Sequence, residues 1–430
     1  MSQKHRVIIL GGGFGGLVCA RTLRNAEAQI TLIDKRNFHL FQPLLYQVAT
    51  GSLSPGEIAA PIRSVLRKQK NTQVLLGEAE DIDPLAQTVT LQDGAVFPYD
   101  TLVVSTGSQT SYYGRNDWRQ WAPSLKSVEE ATAMRHKLLL AFEEAERSED
   151  PAETRAWLTF VIVGGGATGL ELAGALAEIA RETLRDDFRK IRPAEARIVV
   201  MEGGPRVLGA FPEDLSAKGE ALVRKLGVQV QKGTMVTAID AEGVSFKQGD
   251  RQDHLPAKTV LWAGGVLATE FGMKVAARTT AETDRNGKIK VMPDLTIPGF
   301  PNIFVTGDLA LALGKQGKPL PGVAQVAIQG GRYAAKTILA RLKGKKDIPP
   351  FHYFDKGDMA VIGRAAAVAD IFGFHVSGLP AWLIWLFIHL IYIVEFQNRV
   401  KVFVQWGFEY ATFSRGARLI TGSTKEPPLE

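Results

Sequence analysis

Short apolar runs recur along this chain, each closing in small residues before a stretch with helical spacing. In "RVIILGGGFGGLVCARTLRNAEAQITLIDK" (residues 6–35), residues 7–10 are wholly apolar, as a buried parallel strand requires. Residues 30–33 form a second such run, interrupted only by Thr31. The pattern predicts strand, glycine turn, helix, strand. It returns in "TFVIVGGGATGLELAGALAEIARETL" (159–184), followed by "ARIVVMEGG" (196–204). Two copies of one unit in 430 residues are a repeated binding unit, not a solenoid.

Apolar strands at "TLVVSTGS" (101–108) and "TVLWAGG" (259–265) mark where the chain leaves the first domain and begins to return to it. "NIFVTGDLA" (302–310) is another strand closing in a Gly-Asp turn, and "PGVAQVAIQGGRYAAKTILARL" (321–342) reads as a helix opened by Pro-Gly. The expected fold is α/β, with two Rossmann-like dinucleotide-binding domains and a C-terminal membrane-associating helical segment. The expected boundaries are 1–115 and 266–348 for the first domain, 116–265 for the second, and 349–430 for the C-terminal segment.

Gly11, Gly13 and Gly16 form GxGxxG between a strand and a helix. The first glycine permits the turn, the second lets backbone approach a pyrophosphate, and the third lets helix pack on strand. The phosphates then meet free N–H groups at the helix N-terminus. Asp34, at the end of the next strand, is placed to accept from a ribose. Gly164, Gly166 and Gly169 repeat the arrangement, with Glu202 as the matching acid. The longer spacing there is ascribed to a helix extended through "RETLRDDFRKIRP". A carboxylate at Glu202 repels a 2′-phosphate and so favours NADH over NADPH, while nearby Arg206 softens that preference. Two such sites suggest FAD in the first and NAD in the second. Asp308, in the Gly-Asp turn, is expected at the flavin's ribityl chain. The candidate FAD set adds Phe14, Gly15, Lys35, Gln47, Thr106, Gly107, Ala324 and Gln325; the candidate NAD set adds Thr168, Glu171, Ala263 and Gly264.

Composition narrows the chemistry. Cys19 is the only cysteine, which excludes an intramolecular disulfide, a CxxC redox pair and a Cys-rich metal site. No His/Asp/Glu cluster has metal-ligand spacing, so no metal is expected. Net charge is +6 with pI near 9.2, a mild balance that serves solubility or affinity for anionic headgroups, and no nucleic-acid partner is expected. The strand-like run begins within about six residues of Met1, which leaves no room for a signal peptide and suggests a cytoplasmic catalytic body.

Mean hydropathy is −0.01, yet the chain carries "GLPAWLIWLFIHLIYIVEFQNRVKVFVQW" (378–406), whose residues 379–394 hold no formal charge beyond His389. The run is near the lower limit for spanning a bilayer and contains Pro380. An interfacial helix is expected, with Trp382 and Trp385 at the headgroup boundary and Arg399, Lys401, Arg415 and Arg418 toward anionic lipid. A core or dimer-interface helix is the alternative. His389 is expected to be packed rather than catalytic.

With these residues in view, the chain resembles the type II (non-proton-pumping, single-subunit) NADH:quinone oxidoreductases within the two-dinucleotide-binding flavoproteins. The resemblance covers nearly the whole sequence. It is carried by "GGGFGGL", "NFHLFQPLLYQVATGSLSPGEIAAPIR" (37–63), "VGGGATGLELAG", "VLWAGG", "FVTGD", "AQVAIQGG", "FDKGDMAVIGRAAAV" (354–368) and the tryptophan-rich tail. It implies an enzyme in which NADH reduces FAD and the flavin reduces a membrane quinone of the ubiquinone, menaquinone or plastoquinone class. It also implies a homodimer held peripherally, through residues 379–430, at the cytoplasmic face of the membrane. Relatives that work through sulfur use paired cysteines beside the flavin; a lone Cys19 requires direct transfer to a diffusible acceptor. The matching family glutamate faces flavin and nicotinamide, so Glu171 is expected to position or protonate. Gln325 and Gln329, four apart on one helical face, suit a quinone that needs neutral donors in an apolar slot. Lys356 matches a family lysine near the acceptor pocket, and Tyr46 and Gln47 are expected at the flavin's other side. Two readings stay open beside this one: a flavin reductase of another acceptor, and a non-catalytic FAD/NAD-binding signalling protein.

Overall fold

The apolar runs become the central strands of two parallel sheets, each in its own unit of the chain. The computed structural model describes residues 4–421. Unit 1 comprises the described residues up to Leu40, then Ala59–Gln109 and Val266–Asp355; unit 2 comprises Phe41–Ile58, Thr110–Gly265 and the chain from Lys356 onward.

In unit 1 a six-stranded sheet runs Thr296–Ile297, Phe300–Val305, Thr101–Val104, His5–Leu10, Ala28–Asp34, Thr72–Leu76. The strands pair in parallel, with Val7 opposite Ile30, Ile8 opposite Leu102 and Phe304 opposite Val103; only the first, edge strand is antiparallel. Their side chains are apolar on both faces because both faces are covered. Ile8, Leu102 and Val104 pack with Val275 and Ala276 of helix Glu270–Thr279. Helix Phe14–Thr22 packs on helix Ala324–Leu342 so closely that a Cβ on Gly331 would lie 2.1 Å from the Gly15 carbonyl oxygen.

In unit 2 a four-stranded parallel sheet runs Gln229–Lys232, Arg197–Glu202, Thr159–Val163, Thr259–Trp262. Val161 lies opposite Val199 and Ile162 opposite Leu261. Helix Val128–Arg147 opens on a capping box, Ser127 with Glu130, which satisfies two end N–H groups reciprocally. Helix Ala167–Glu178 lies against strand Met359–Gly363 of the C-terminal three-stranded sheet, where a Cβ on Gly174 would meet the Ile362 carbonyl oxygen at 1.6 Å.

The structure departs from the expected layout in five places. Residues 41–58 belong to unit 2 rather than to the first nucleotide domain, and the C-terminal chain joins unit 2 rather than standing apart. The second glycine helix does not extend through residues 184–192: it ends in a π turn, Ile179–Thr183, and the loop beyond is held differently. There the Glu146 carboxylate accepts the N–H groups of Arg189, Lys190 and Ile191 at 2.9–3.0 Å, replacing the helical partners those groups would otherwise need. Helix Ala324–Leu342 starts two residues after Pro321-Gly322, with Val323 as its cap. The tail is two helices, Leu379–Tyr392 and Phe396–Thr412, not one; residues 422–430 of the expected anchor lie outside the described residues. Among the described residues no helix is long and apolar enough to cross a membrane.

Candidate active site

In unit 1 the glycine turn joins strand His5–Leu10 to helix Phe14–Thr22. A Cβ on Gly16 would lie 1.8 Å from the Gly11 carbonyl oxygen, so only glycine lets the helix begin this close to the strand. Gly13, the N-cap residue, is exposed, bears no side-chain cap and has nothing within 4 Å of the place a Cβ would occupy. A diphosphate can therefore approach the first-turn N–H groups unhindered. At the end of strand Ala28–Asp34, the Asp34 carboxylate accepts from the Gly12 N–H and, at 2.7 Å, from the Arg36 N–H. Burial raises its pKa, and those hydrogen bonds oppose the rise. This cradle fits FAD. Asp308 follows strand Phe300–Val305 in a tight turn and accepts from Ser108 Oγ at 2.8 Å. Thr106 Oγ1 lies 3.2 Å from Thr269 Oγ1. Phe14, Gly15, Gly107, Ala324 and Gln325 belong to the same unit. Lys35 forms an exposed pair with Glu78 at 3.0 Å, and Gln47 belongs to unit 2.

The second turn repeats this geometry in unit 2. A Cβ on Gly169 would lie 1.9 Å from the Gly164 carbonyl oxygen, and Gly166 is exposed with open space around it. The Glu202 carboxylate is fixed at both oxygens, by the Gly165 N–H and the Gly204 N–H at 2.6 Å each. Thr168 is exposed in the helix's first turn, and Ala263 and Gly264 follow strand Thr259–Trp262. The Arg206 guanidinium donates to the carbonyls of Phe211 and Gly209 at 2.6 and 2.9 Å.

Two residues past Gly169 on the same helix, Glu171 enters a cavity of about 110 Å³ within unit 2. Its walls include Tyr46 and Gln47 of helix Leu45–Ala49 and Trp382, Trp385 and Trp406 of the tail helices. Glu171 keeps some surface toward the cavity, but protein surrounds it, and burial pushes its carboxyl up to about 8 against a hydrogen bond from the Val361 N–H. The charge of Glu171 joins burial in holding the Tyr46 phenol well above its ordinary value. Gln47 links two walls: its Nε2 donates to Tyr46 Oη at 2.9 Å and its Oε1 accepts from Trp406 Nε1 at 2.7 Å. Trp385 is only 3% exposed, and its indole N–H has no acceptor among the described residues.

The tail tryptophan Trp385 is thus a cavity wall, not a headgroup anchor; it stacks on His389 and packs near Trp406, with ring centroids 4.4 and 5.3 Å apart. His389 bonds the Trp385 carbonyl through Nδ1 at 2.8 Å, and burial lowers its pKa to about 4. Arg415 and Arg418, expected at lipid, pair instead with Glu178 at 3.0 Å and Asp187 at 2.6 Å.

Gln325 and Gln329 lie on helix Ala324–Leu342 of unit 1, as spaced. Gln329 is engaged at both ends, donating to the Phe354 carbonyl at 2.9 Å and accepting the Phe354 N–H at 3.0 Å. That amide holds the irregular segment that follows the helix in its own unit. Lys356 reaches the Tyr392 hydroxyl at 3.0 Å and is not a wall of the cavity. Ser52, Glu178, Arg364 and Glu409 line the cavity and were not singled out from the sequence. No local pattern marks them; they come together only because residues 41–58 and the tail fold into one unit.

Residues 5–331 match the family model of the pyridine nucleotide-disulphide oxidoreductases, and residues 356–415 match that of the NDH2 C-terminal domain. Over 425 residues the chain is 44% identical to the type II NADH:quinone oxidoreductase Ndh of Mycobacterium tuberculosis, covering 97% of this chain and 91% of that protein. It is 46% identical over 428 residues to NdhA of the same organism, covering 97% and 90%. In fold it is similar to the Plasmodium falciparum NDH2 solved with NADH, with a TM-score of 0.88 at 20% identity over 96% of this chain and 99% of that one.

Proposed function

The chain belongs to the type II NADH:quinone oxidoreductases, and we propose that Glu171 and the aromatic cavity beside it serve the quinone half of its reaction. The enzyme oxidises NADH and reduces a quinone with FAD as its cofactor. Bound FAD supplies the two-electron step between a hydride donor and a quinone. Gly11, Gly13, Gly16, Asp34 and Asp308 hold the flavin nucleotide, and Gly164, Gly166, Gly169 and Glu202 hold NADH. The fixed Glu202 carboxylate selects against a 2′-phosphate. No dithiol takes part: Cys19 is buried and its thiol is pushed up to about 12.

The observation that carries this reading is the buried Glu171 facing an aromatic cavity. With its carboxyl near 8, the group holds a proton at neutral pH and can donate it.

The acceptor is a membrane quinone, and the tail meets the lipid surface at the cytoplasmic face. Leu383, Phe387, Phe396, Phe403, Val404 and Phe408 all stand more than half exposed on the two tail helices. Burying six large apolar side chains at about 1.5–3 kcal/mol each exceeds what peripheral attachment needs. Exposed Lys401 adds positive charge on the same helix.

One experiment tests both parts: reduction of a quinone carried in anionic vesicles, by wild type, Glu171→Gln and the pair Phe403→Glu, Phe408→Glu. Glu171→Gln lowers quinone turnover about tenfold or more while retaining FAD and NADH binding. The paired variant leaves the vesicles and still reduces a short-chain soluble quinone. Unaltered turnover in Glu171→Gln removes the assignment of Glu171. If the paired variant stays on vesicles but sediments as a smaller species, the exposed face is where a second copy of the chain sits.

A further inference from the structure

Quinol formation consumes two electrons and two protons. NADH delivers a hydride, which is two electrons and one proton, so the second proton comes from water. A route for that proton is therefore required, and Glu171, set inside unit 2, needs a way to be recharged.

The tail contributes a further carboxylate to the cavity lining, set in apolar company. Glu409 lies on helix Phe396–Thr412, whose neighbouring positions Phe403, Val404, Phe408 and Tyr410 are exposed apolar or aromatic side chains. A carboxyl among such groups is costly to retain unless it has work to do. One oxygen accepts from Ser52 Oγ and the other from Gln405 Nε2 at 3.0 Å. The charges that act on it are Arg415, which favours the anion, and Glu57, which opposes it. The first tail helix contributes only His389 and Tyr392 as titratable groups, and Arg364 is occupied between the rings of Tyr410 and Phe413, 4.0 Å from each centroid. Burial raises the Glu409 pKa, the direction that suits a group passing protons near neutrality. The remaining observation is independent of the carboxylates. The buried Trp385, which also lines this cavity, has an indole N–H with no acceptor among the described residues, and it calls for a water or a carbonyl inside. A cavity of about 110 Å³, whose walls carry Glu171, Glu409 and the Trp385 N–H among aromatic side chains, has room and partners for a short chain of water molecules.

We propose that Glu409, oriented by Ser52 and Gln405, is the relay carboxylate through which protons enter the unit 2 cavity and recharge Glu171. Glu409 gives its proton inward and regains one from solvent, so each turnover moves one proton and no electrons through it. The inference rests on the proposed role of Glu171.

The test uses the full-length, FAD-loaded protein and compares turnover with a short-chain quinone to turnover with ferricyanide, which takes electrons without protons. In Glu409→Gln the quinone-to-ferricyanide ratio falls about tenfold, the loss deepens toward alkaline pH, and a small weak acid such as acetate restores part of it. Ser52→Ala, which removes only the orienting hydroxyl, shows a smaller loss of the same form. Infrared difference spectra of the wild type contain a carboxyl band, titrating above the ordinary glutamate range, that Glu409→Gln lacks. A wild-type ratio and pH profile in Glu409→Gln overturn the relay, as does a loss that neither pH nor weak acid alters. Glu171→Gln separates the two ideas: if it too keeps the wild-type ratio, the role of Glu171 fails; if it alone is impaired, only the relay fails.

Discussion

The two glycine helices begin alike and lead to different chemistry. Aligned on their glycines, Gly11–Gly12–Gly13 match Gly164–Gly165–Gly166, and Gly16 matches Gly169. In both, a carboxylate from the next strand accepts the N–H of the middle glycine, Asp34 from Gly12 and Glu202 from Gly165. Just past the turn the likeness stops. Val18 in the first helix stands where Glu171 stands in the second, and exposed Arg21 where Gly174 is pressed on Ile362. The turn specifies a dinucleotide; the residues after it decide what surrounds the helix that the dinucleotide meets. In unit 1 those surroundings are helix Ala324–Leu342, and in unit 2 they are the C-terminal sheet and the cavity.

The strongest way to break this comparison is at Gly174. Alanine there would put a Cβ 1.6 Å from the Ile362 carbonyl oxygen, a backbone atom that cannot rotate away, so helix and strand must part. Gly174→Ala should cost about 3 kcal/mol, whereas Arg21→Ala at the equivalent exposed position should stay within about 0.5 kcal/mol. All seven tryptophans lie in unit 2, so denaturant unfolding followed by tryptophan fluorescence reads that unit directly. Equal losses in the two variants would mean that the helices are packed alike after all.

A second substitution pair sharpens the shared part. Gly16→Ala and Gly169→Ala each drive a Cβ to within 2 Å of a carbonyl oxygen, 1.8 and 1.9 Å respectively. The first should yield protein purified with little FAD. The second should keep its flavin spectrum while NADH binds at least about tenfold more weakly, a loss of about 1.4 kcal/mol. Flavin absorbance and NADH titration check this. Loss of FAD from Gly169→Ala would reverse the assignment of the two turns.

Much of this was legible in the chain. The glycine turns are local: strand, turn, helix and acid lie within some forty residues, and each requirement is a property of one residue type. Glu171 was singled out by the family resemblance rather than by any local requirement, although it stands only two residues past a glycine. The cavity was not. Its walls come from residues 46–52, 171–183, 361–364 and 382–415, and no periodicity links such distant segments. The tail misled in an instructive way. Apolar density alone does not distinguish the face that packs inward, with Trp385 and Trp406, from the face that stays outside, with Phe387 and Phe403. Arg415 and Arg418 looked like lipid ligands because their partners, Glu178 and Asp187, lie more than two hundred residues earlier. Gln329 looked like a donor for a ligand, but its hydrogen bonds go to the backbone of Phe354, a pairing that helical spacing cannot reveal.

The finest test of the comparison is the pH dependence of stability, because Val18 cannot titrate and Glu171 can. The Glu171 carboxyl is near 8 in the folded chain, against an ordinary value of 4.5. Between those values the folded state holds a proton that the unfolded state has released. Stability from this group is therefore complete below about 4.5, declines as pH rises toward about 8, and is flat beyond. The whole shift would amount to several kcal/mol, but the cavity gives the carboxyl some access to solvent, so about 1 kcal/mol is the expected decline. Glu171→Gln removes that slope, and Val18→Gln leaves it in place. Chemical denaturation at pH 5, 6.5 and 8 measures it. A slope that survives in Glu171→Gln would place the titrating group elsewhere in unit 2, and Glu409, whose pKa is raised by the same cause, would be the next carboxyl to replace.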